Sequence, residues 1–214
     1  MPIQESCILE EKTEGEDIVG KERLAAFEDA VLAIIMTILV LELKKPETVS
    51  WAGLWALRAN FFAYALSFFW LGLMWISHHN NWLLVKKIDK TTTMLTLVLL
   101  FFSSLFPYTT SIVAEHFNNT TAQVLYGAII IIISLLNVAL SLNLGKINPQ
   151  ANFGLLYTTS DITVILDLAT KLIGLVLALV VYPPAMVLAI FIASLLLIAN
   201  NPHRTAWRLY RRHG

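Results

Sequence analysis

Two charged residues lie four positions apart inside a long apolar run in the C-terminal part of the chain: Asp167 and Lys171. In an α-helix this spacing places both side chains on one face. A charged group inside a membrane costs roughly 2.5–3.5 kcal/mol unless it is paired or hydrated, so such residues are candidates for ion or proton pathways. Mutual neutralisation of the pair is the simpler interpretation. A relay would need further carboxylates or histidines at the same depth, and the sequence offers few.

A second pattern lies in the first apolar run. Ile34, Ile38 and Leu41 follow the spacing i, i+4, i+7 and therefore share one stripe of a helix, with Thr37 on its flank. Glu42 closes the stripe at its far end, where a carboxylate could concentrate cations at a pore mouth. By itself such a stripe indicates packing or a lipid-facing surface more often than a pore, so both interpretations stay open.

Composition shows which elements must carry these residues. Hydrophobic residues make up 57% of the 214 residues and charged residues only 14%, whereas ordinary soluble domains are about 25% charged. Apolar runs of about 17–25 residues recur, and at about 1.5 Å per residue each can cross a hydrocarbon core of roughly 30 Å. The pattern predicts an all-α polytopic membrane protein with six transmembrane helices, at 21–43, 51–77, 92–114, 121–144, 161–182 and 184–200.

The basic residues of the predicted loops and ends fall mainly on one side. That side holds Lys12, Lys21, Arg23, Lys86, Lys87, Lys90, Lys146, Arg204, Arg208, Arg211 and Arg212, and the other side holds Lys44 and Lys45. Because basic residues accumulate in cytoplasmic loops, both termini are expected to be cytoplasmic. The expected organisation is an N-terminal tail over 1–20, a six-helix domain over 21–200 and a basic C-terminal tail over 201–214.

Three stretches resemble a known family. "RLAAFEDA", residues 23–30, is similar to the R-x-x-x-F-S-D signature in the first helix of the transmembrane protein 175 family, the lysosomal and bacterial potassium channels. Arg23, Phe27 and Asp29 match it, whereas Glu28 stands where serine is usual. "WISHHNNW", residues 75–82, resembles the family's W-x-x-H-H stretch at the end of its second helix.

The third stretch, "TLVLLFFSSLFPY" at residues 96–108, resembles the family's third-helix pattern, with Thr96 in place of the usual asparagine. The three patterns occur in the family's order. They cover roughly the first half of the chain, whereas the later spans agree only in number and hydrophobicity. The TVGYG-type filter loop of ordinary potassium channels is absent from the sequence, as it is from the family.

The resemblance implies a homotetramer in a bacterial cell membrane, with the first helix of each subunit lining a central pore. By position, Ile34 would form the main hydrophobic constriction, with Ile38 and Leu41 continuing the apolar lining. Thr37 corresponds to a threonine or serine position implicated in selectivity.

The resemblance also implies a structural network. Arg23 and Asp29 would hydrogen-bond with Trp75, His78 and the start of the third span, and would fix the first helix against its own subunit. Phe27 and His79 belong to the same motifs. Without the resemblance, the two histidines would be interpreted as solvated residues at the membrane boundary.

The favoured hypothesis is therefore a passive potassium-selective channel with a hydrophobic gate. A proton-coupled transporter that uses Asp167 and Lys171 is the alternative, and a non-conducting scaffold is a third. Glu28 is assigned to the cytoplasmic pore mouth, or else pairs with Arg23 or Lys86. Because the sequence shows no nucleophile–base pair, phosphate loop or metal cluster, we expect neither an enzyme nor a cofactor. The expected partners are membrane lipids and further copies of the chain, with no nucleic acid.

Overall fold

Helices form almost all of the described part of the protein. The structure is a computed structural model that describes residues 20–150 and 161–199, so most of the two predicted tails lies outside the described residues. Its helices are α1 (Lys21–Leu41), α2 (Trp51–Ala56), α3 (Arg58–Leu84), α4 (Lys90–Ser104), α5 (Phe106–Glu115), α6 (Thr120–Ile147), α7 (Asp161–Val180) and α8 (Ala185–Ala199).

Four apolar stretches among the described residues are long enough to cross a membrane. They are α1, α3, the combined α4 and α5, and α6. The 15-residue α8 is a shorter apolar helix. The described chain is thus an all-α membrane protein with four candidate spans.

Two predicted spans differ from the observed helices. The second was predicted as one helix over 51–77, but the chain breaks at Leu57 and α3 then continues to Leu84. The motif at residues 75–82, predicted to end this span, therefore lies wholly inside α3. The third span is interrupted at Leu105, since Pro107 has no N–H to donate to the preceding turn and its ring crowds that turn.

An aromatic stack forms the centre of the bundle. The Phe106 ring lies 5.2 Å from Trp70 and 5.5 Å from Tyr126, measured between centroids. Beside it, the Ser67 hydroxyl lies 2.9 Å from the Thr110 hydroxyl and 2.8 Å from the Tyr126 hydroxyl. Since these buried hydroxyls bond to one another, none of the three is unpaired where α3, α5 and α6 meet, whereas the buried Trp70 Nε1 has no hydrogen-bond partner among the described residues.

Small residues allow α7 and α8 to pack closely. A Cβ on Gly174 would lie 2.2 Å from Ala189 Cβ and 3.4 Å from the Ala185 carbonyl oxygen. No side chain fits at that distance, so glycine is required at this crossing.

Gly174→Ala is therefore expected to force α7 and α8 apart and to destabilise the fold by about 1–3 kcal/mol, as overpacked cores do. Thermal melting of the detergent-solubilised protein measures the effect. Gly145→Ala is the matched control, because nothing lies within 4 Å of the Cβ it would add in α6. It is expected to leave the melting temperature unchanged or slightly higher, and an equal loss in both variants would contradict the packing argument.

Candidate functional site

Helix α1 has two faces of different character. Its inner face packs into the bundle through Leu24, Glu28, Leu32, Ile35 and Leu39, all buried. Its outer face carries the predicted stripe: Ile34, Ile38 and Leu41 are 58%, 37% and 78% exposed. The predicted pathway residues therefore share a surface that the described chain leaves uncovered.

The polar residues of this outer face differ in their bonding. The Thr37 hydroxyl donates to the Ile34 carbonyl oxygen at 2.7 Å. Its single proton is thereby committed to the helix, and its oxygen lone pairs remain free on the exposed side. Glu42 is exposed at the C-terminal end of α1.

Glu28 lies on the opposite face, and its assignment to an exposed pore mouth is wrong. The residue is only 1% exposed. One carboxylate oxygen accepts a hydrogen bond from Trp82 Nε1 at 2.8 Å, and the other pairs with His78 Nδ1. The carboxylate does not pair with Arg23 or Lys86 either, because both of its oxygens already bind side chains of α3.

His78 connects this carboxylate to α6. Its Nε2 bonds to Asn137 Oδ1, and Asn137 Nδ2 donates to the Ile133 carbonyl oxygen at 2.9 Å. This second bond fixes which end of the amide faces the histidine. Both ring nitrogens therefore face oxygen atoms, and an imidazolium that donates to both would be paired with the Glu28 carboxylate.

Asp29 forms a separate, more exposed contact with α3. Trp75 Nε1 donates to Asp29 Oδ1 at 2.7 Å, and the Trp75 ring stacks on His79 with centroids 5.5 Å apart. The structure thus brings Asp29, Trp75 and His79 together. His78 binds Glu28 instead of Asp29, which corrects the expected partner.

Arg23 and Phe27 stay outside this contact. Both side chains are exposed, Phe27 by 48%, and the Arg23 side chain forms no hydrogen bond or ion pair with the described residues. They lie on the same face of α1 as Ile34. The predicted role of Arg23 in fixing α1 within its own subunit is therefore wrong for the described part of the chain.

Asn143 and Asp89 hold α6 against the start of α4 at the same end of the bundle. Asn143 Nδ2 donates to Asp89 Oδ1 at 2.9 Å, and the Thr92 backbone N–H and hydroxyl donate to the same oxygen at 2.7 and 2.6 Å. Partial burial raises the pKa of Asp89, but these hydrogen bonds outweigh it and hold the pKa below its usual value. Asp89 is therefore ionised at neutral pH and caps α4.

The polar residues of α6 were missed by the sequence interpretation. Asn137 and Asn143 are carboxamides inside a largely apolar helix, and that contrast was the available signal. Trp82 closes the motif at residues 75–82, and its indole N–H binds Glu28.

The ionisable pair on α7 is enclosed. Lys171 Nζ lies 2.6 Å from Asp167 Oδ2 and donates to Ser134 Oγ on α6 at 2.9 Å. The ammonium also lies 5.6 Å from the centroid of the Trp70 ring. The two residues are 0% and 1% exposed, so the geometry supports mutual neutralisation rather than a relay.

Known proteins are similar to this chain in the region that contains the three motifs. Residues 23–107 match the family model described as "Endosomal/lysosomal potassium channel TMEM175". A potassium channel from Chryseobacterium sp. (strain P1-3) is 45% identical over 98 residues, covering 45% of this chain and 51% of the relative. A potassium channel from Streptomyces collinus is 35% identical over 124 residues, covering 56% and 59%. The chain thus matches little more than half the length of these relatives.

The fold is similar to a solved structure along most of the chain. The crystal structure of a lysosomal potassium-selective channel TMEM175 homolog from Chamaesiphon minutus superimposes with a TM-score of 0.58 at 26% identity. The alignment covers 81% of this chain and 96% of that one. The relatives are named as channels, which agrees with the expectation that the protein is not an enzyme. By the sequence of residues 23–107 and by its fold, the chain is similar to the TMEM175 family.

Proposed function

We propose that the protein is a passive, potassium-selective channel in which four copies of α1 line a central pore. The observation that carries the proposal is the uncovered outer face of α1, where Ile34, Ile38 and Leu41 are exposed in line. An exposed apolar face must be covered by another protein surface or by lipid. If four copies of the chain meet around a symmetry axis, this row of branched side chains would line the pathway along that axis. The names of the relatives indicate which ion is conducted.

The proposed gate is a ring of Ile34 side chains. Branched apolar side chains around a narrow pore exclude water, so ions pass only when the ring widens. Thr37 supports selectivity in this proposal, because its hydroxyl proton binds the Ile34 carbonyl and leaves oxygen lone pairs for a dehydrating cation. Glu42 would concentrate cations at the far mouth.

The proposed membrane topology has six spans. In it α7 and α8 are the fifth and sixth, and both termini lie in the cytoplasm of a bacterial cell. Support comes from the basic end of the bundle, defined by Lys21, Lys86, Lys87, Lys90 and Lys146, since the start of α1 lies there against the α3–α4 loop. Lys21 Nζ donates to the Val85 carbonyl oxygen in that loop at 2.7 Å.

Ile34→Ala is expected to raise basal conductance several-fold and to weaken selectivity for potassium over sodium, because a wider ring admits hydrated ions. Single-channel recording in planar bilayers with a KCl/NaCl gradient measures both quantities. Val40→Ala is the matched control: Val40 is 48% exposed and lies about 120° away from Ile34 around the helix. Its reversal potential should equal that of the wild type.

The same recording tests the function itself. Saturating flux that depends on a proton gradient would favour the transporter hypothesis, and no current at all would favour a scaffold. An unchanged current and reversal potential in Ile34→Ala, in a channel that conducts potassium, would remove Ile34 from the pore while leaving the channel function in place.

A further inference from the structure

A cleft of about 400 Å³ opens at the basic end, between the end of α3 and the end of α6. Leu83, Leu84 and Ile147 form its apolar wall, and Lys86, Lys87 and Asn148 form its polar wall. Leu83 and Leu84 are 70% and 45% exposed. These leucines end a membrane-spanning helix, so the cleft lies where hydrocarbon gives way to the headgroup layer.

The polar wall is held in place by one buried amide. Asn148 is 6% exposed, and its Oδ1 accepts hydrogen bonds from the backbone N–H groups of Lys86 and Lys87, both at 2.9 Å. Its Nδ2 donates to the carbonyl oxygens of Lys87 and Leu144 at 2.9 and 3.1 Å. The loop after α3 is therefore fixed to the end of α6, and its two lysines project from a defined backbone.

The charges of this cleft are uncompensated by the part of the chain that the structure describes. The Lys86 and Lys87 side chains are exposed, and neither forms an ion pair with a described carboxylate. The nearby carboxylate of Asp89 is committed to Thr92 and Asn143, and that of Glu28 to His78 and Trp82. The cleft thus offers two free ammonium groups to an anion.

We propose that this cleft binds the headgroup of an anionic phospholipid, with Lys86 and Lys87 on the phosphodiester and the acyl chains against Leu83 and Leu84. Basic pockets between transmembrane helices at the membrane boundary bind anionic headgroups in this way. The adjoining exposed leucines favour a lipid over a free phosphate ion, because only the lipid covers them. This site is separate from the outer face of α1 and does not depend on the proposed conduction.

Native mass spectrometry of the detergent-solubilised protein with dioleoylphosphatidylglycerol tests the proposal. The wild type is expected to retain this lipid in preference to dioleoylphosphatidylcholine, and inorganic phosphate or glycerol 3-phosphate should not displace it. Since each lysine near an anionic headgroup contributes about a fivefold change in affinity, Lys86→Gln/Lys87→Gln is expected to lower affinity about 30-fold. Both side chains are exposed, so the variant should fold.

Lys44→Gln/Lys45→Gln is the matched control, because it removes the same charge at the opposite end of α1. It should retain the phospholipid as the wild type does. Equal retention by both double variants, equal retention of phosphatidylcholine, or displacement by inorganic phosphate would each overturn the proposal.

A further variant tests whether lipid binding needs the fixed geometry of the cleft or only the charges of the two lysines. Asn148→Ala keeps every lysine but frees the loop, so it is expected to reduce phosphatidylglycerol retention at a temperature below its own melting point. Wild-type retention in this variant would show that the lysines act without the cleft and would contradict the proposed site.

Discussion

Glu28→Ala is expected to destabilise the protein by about 3–5 kcal/mol, or to abolish the folded state, because removing one partner of a buried ion pair strands the other. The buried His78 would lose its carboxylate partner, and the Trp82 indole N–H would lose its acceptor. Thermal melting and size-exclusion chromatography in detergent measure the loss.

Two further variants identify the cause. Glu28→Gln keeps an oxygen acceptor for Trp82 but removes the charge, so it should fall between alanine and the wild type. Glu22→Ala removes an exposed carboxylate from the first turn of the same helix, and it should cost less than about 1 kcal/mol. If Glu28→Ala has the same melting temperature as the wild type, Glu28 does not form a stabilising buried ion pair.

Lys171→Ala is expected to cost a similar amount, about 3–5 kcal/mol, because it leaves the Asp167 carboxylate buried without its cation. Among the described residues, Asp167 Oδ1 already has no hydrogen-bond partner and Oδ2 bonds only to Lys171. Protein yield and melting temperature report the change.

The double variant Asp167→Leu/Lys171→Met should recover most of this stability, since apolar residues of similar size commonly replace a buried ion pair at little cost. Lys44→Ala serves as the exposed comparison: its pair with Glu115 spans 3.1 Å at the surface and should contribute no more than about 1 kcal/mol. A double variant that folds and still carries potassium current would exclude a relay through α7.

The two faces of α1 could be predicted from the sequence, because a 3.6-residue period assigns Ile34, Ile38 and Leu41 to one stripe without reference to any partner. The resemblance placed Asp29 near Trp75, and the two are in contact. The sequence could not show which of two adjacent carboxylates binds the histidine. Adjacent carboxylates point about 100° apart on a helix, so which of Glu28 and Asp29 meets His78 depends on how α1 is rotated against α3.

Contacts between residues far apart in the chain could not be predicted from the sequence either, because they also depend on how the helices pack. Asn137 lies 59 residues from His78 along the chain, and only the crossing of α3 and α6 brings the two side chains together. The break at Leu57 was missed because neither proline nor glycine stands next to it in the sequence. At Leu105, by contrast, Pro107 marks the place where the helix is interrupted.

The bonding of α1 is uneven along its length. The directional bonds from its side chains to α3 lie at Glu28 and Asp29, whereas the described contacts of its inner face beyond them, at Leu32, Ile35 and Leu39, are apolar. Apolar contacts have no preferred direction and tolerate sliding. In the proposed channel, α1 would therefore tilt as a rigid helix about Glu28, where these bonds hold it to α3. Ile34 would lie about 9 Å and Leu41 about 20 Å from this pivot, at about 1.5 Å per residue. The same small tilt would displace Leu41 about twice as far as Ile34, so the pore would widen as a cone that opens toward Glu42.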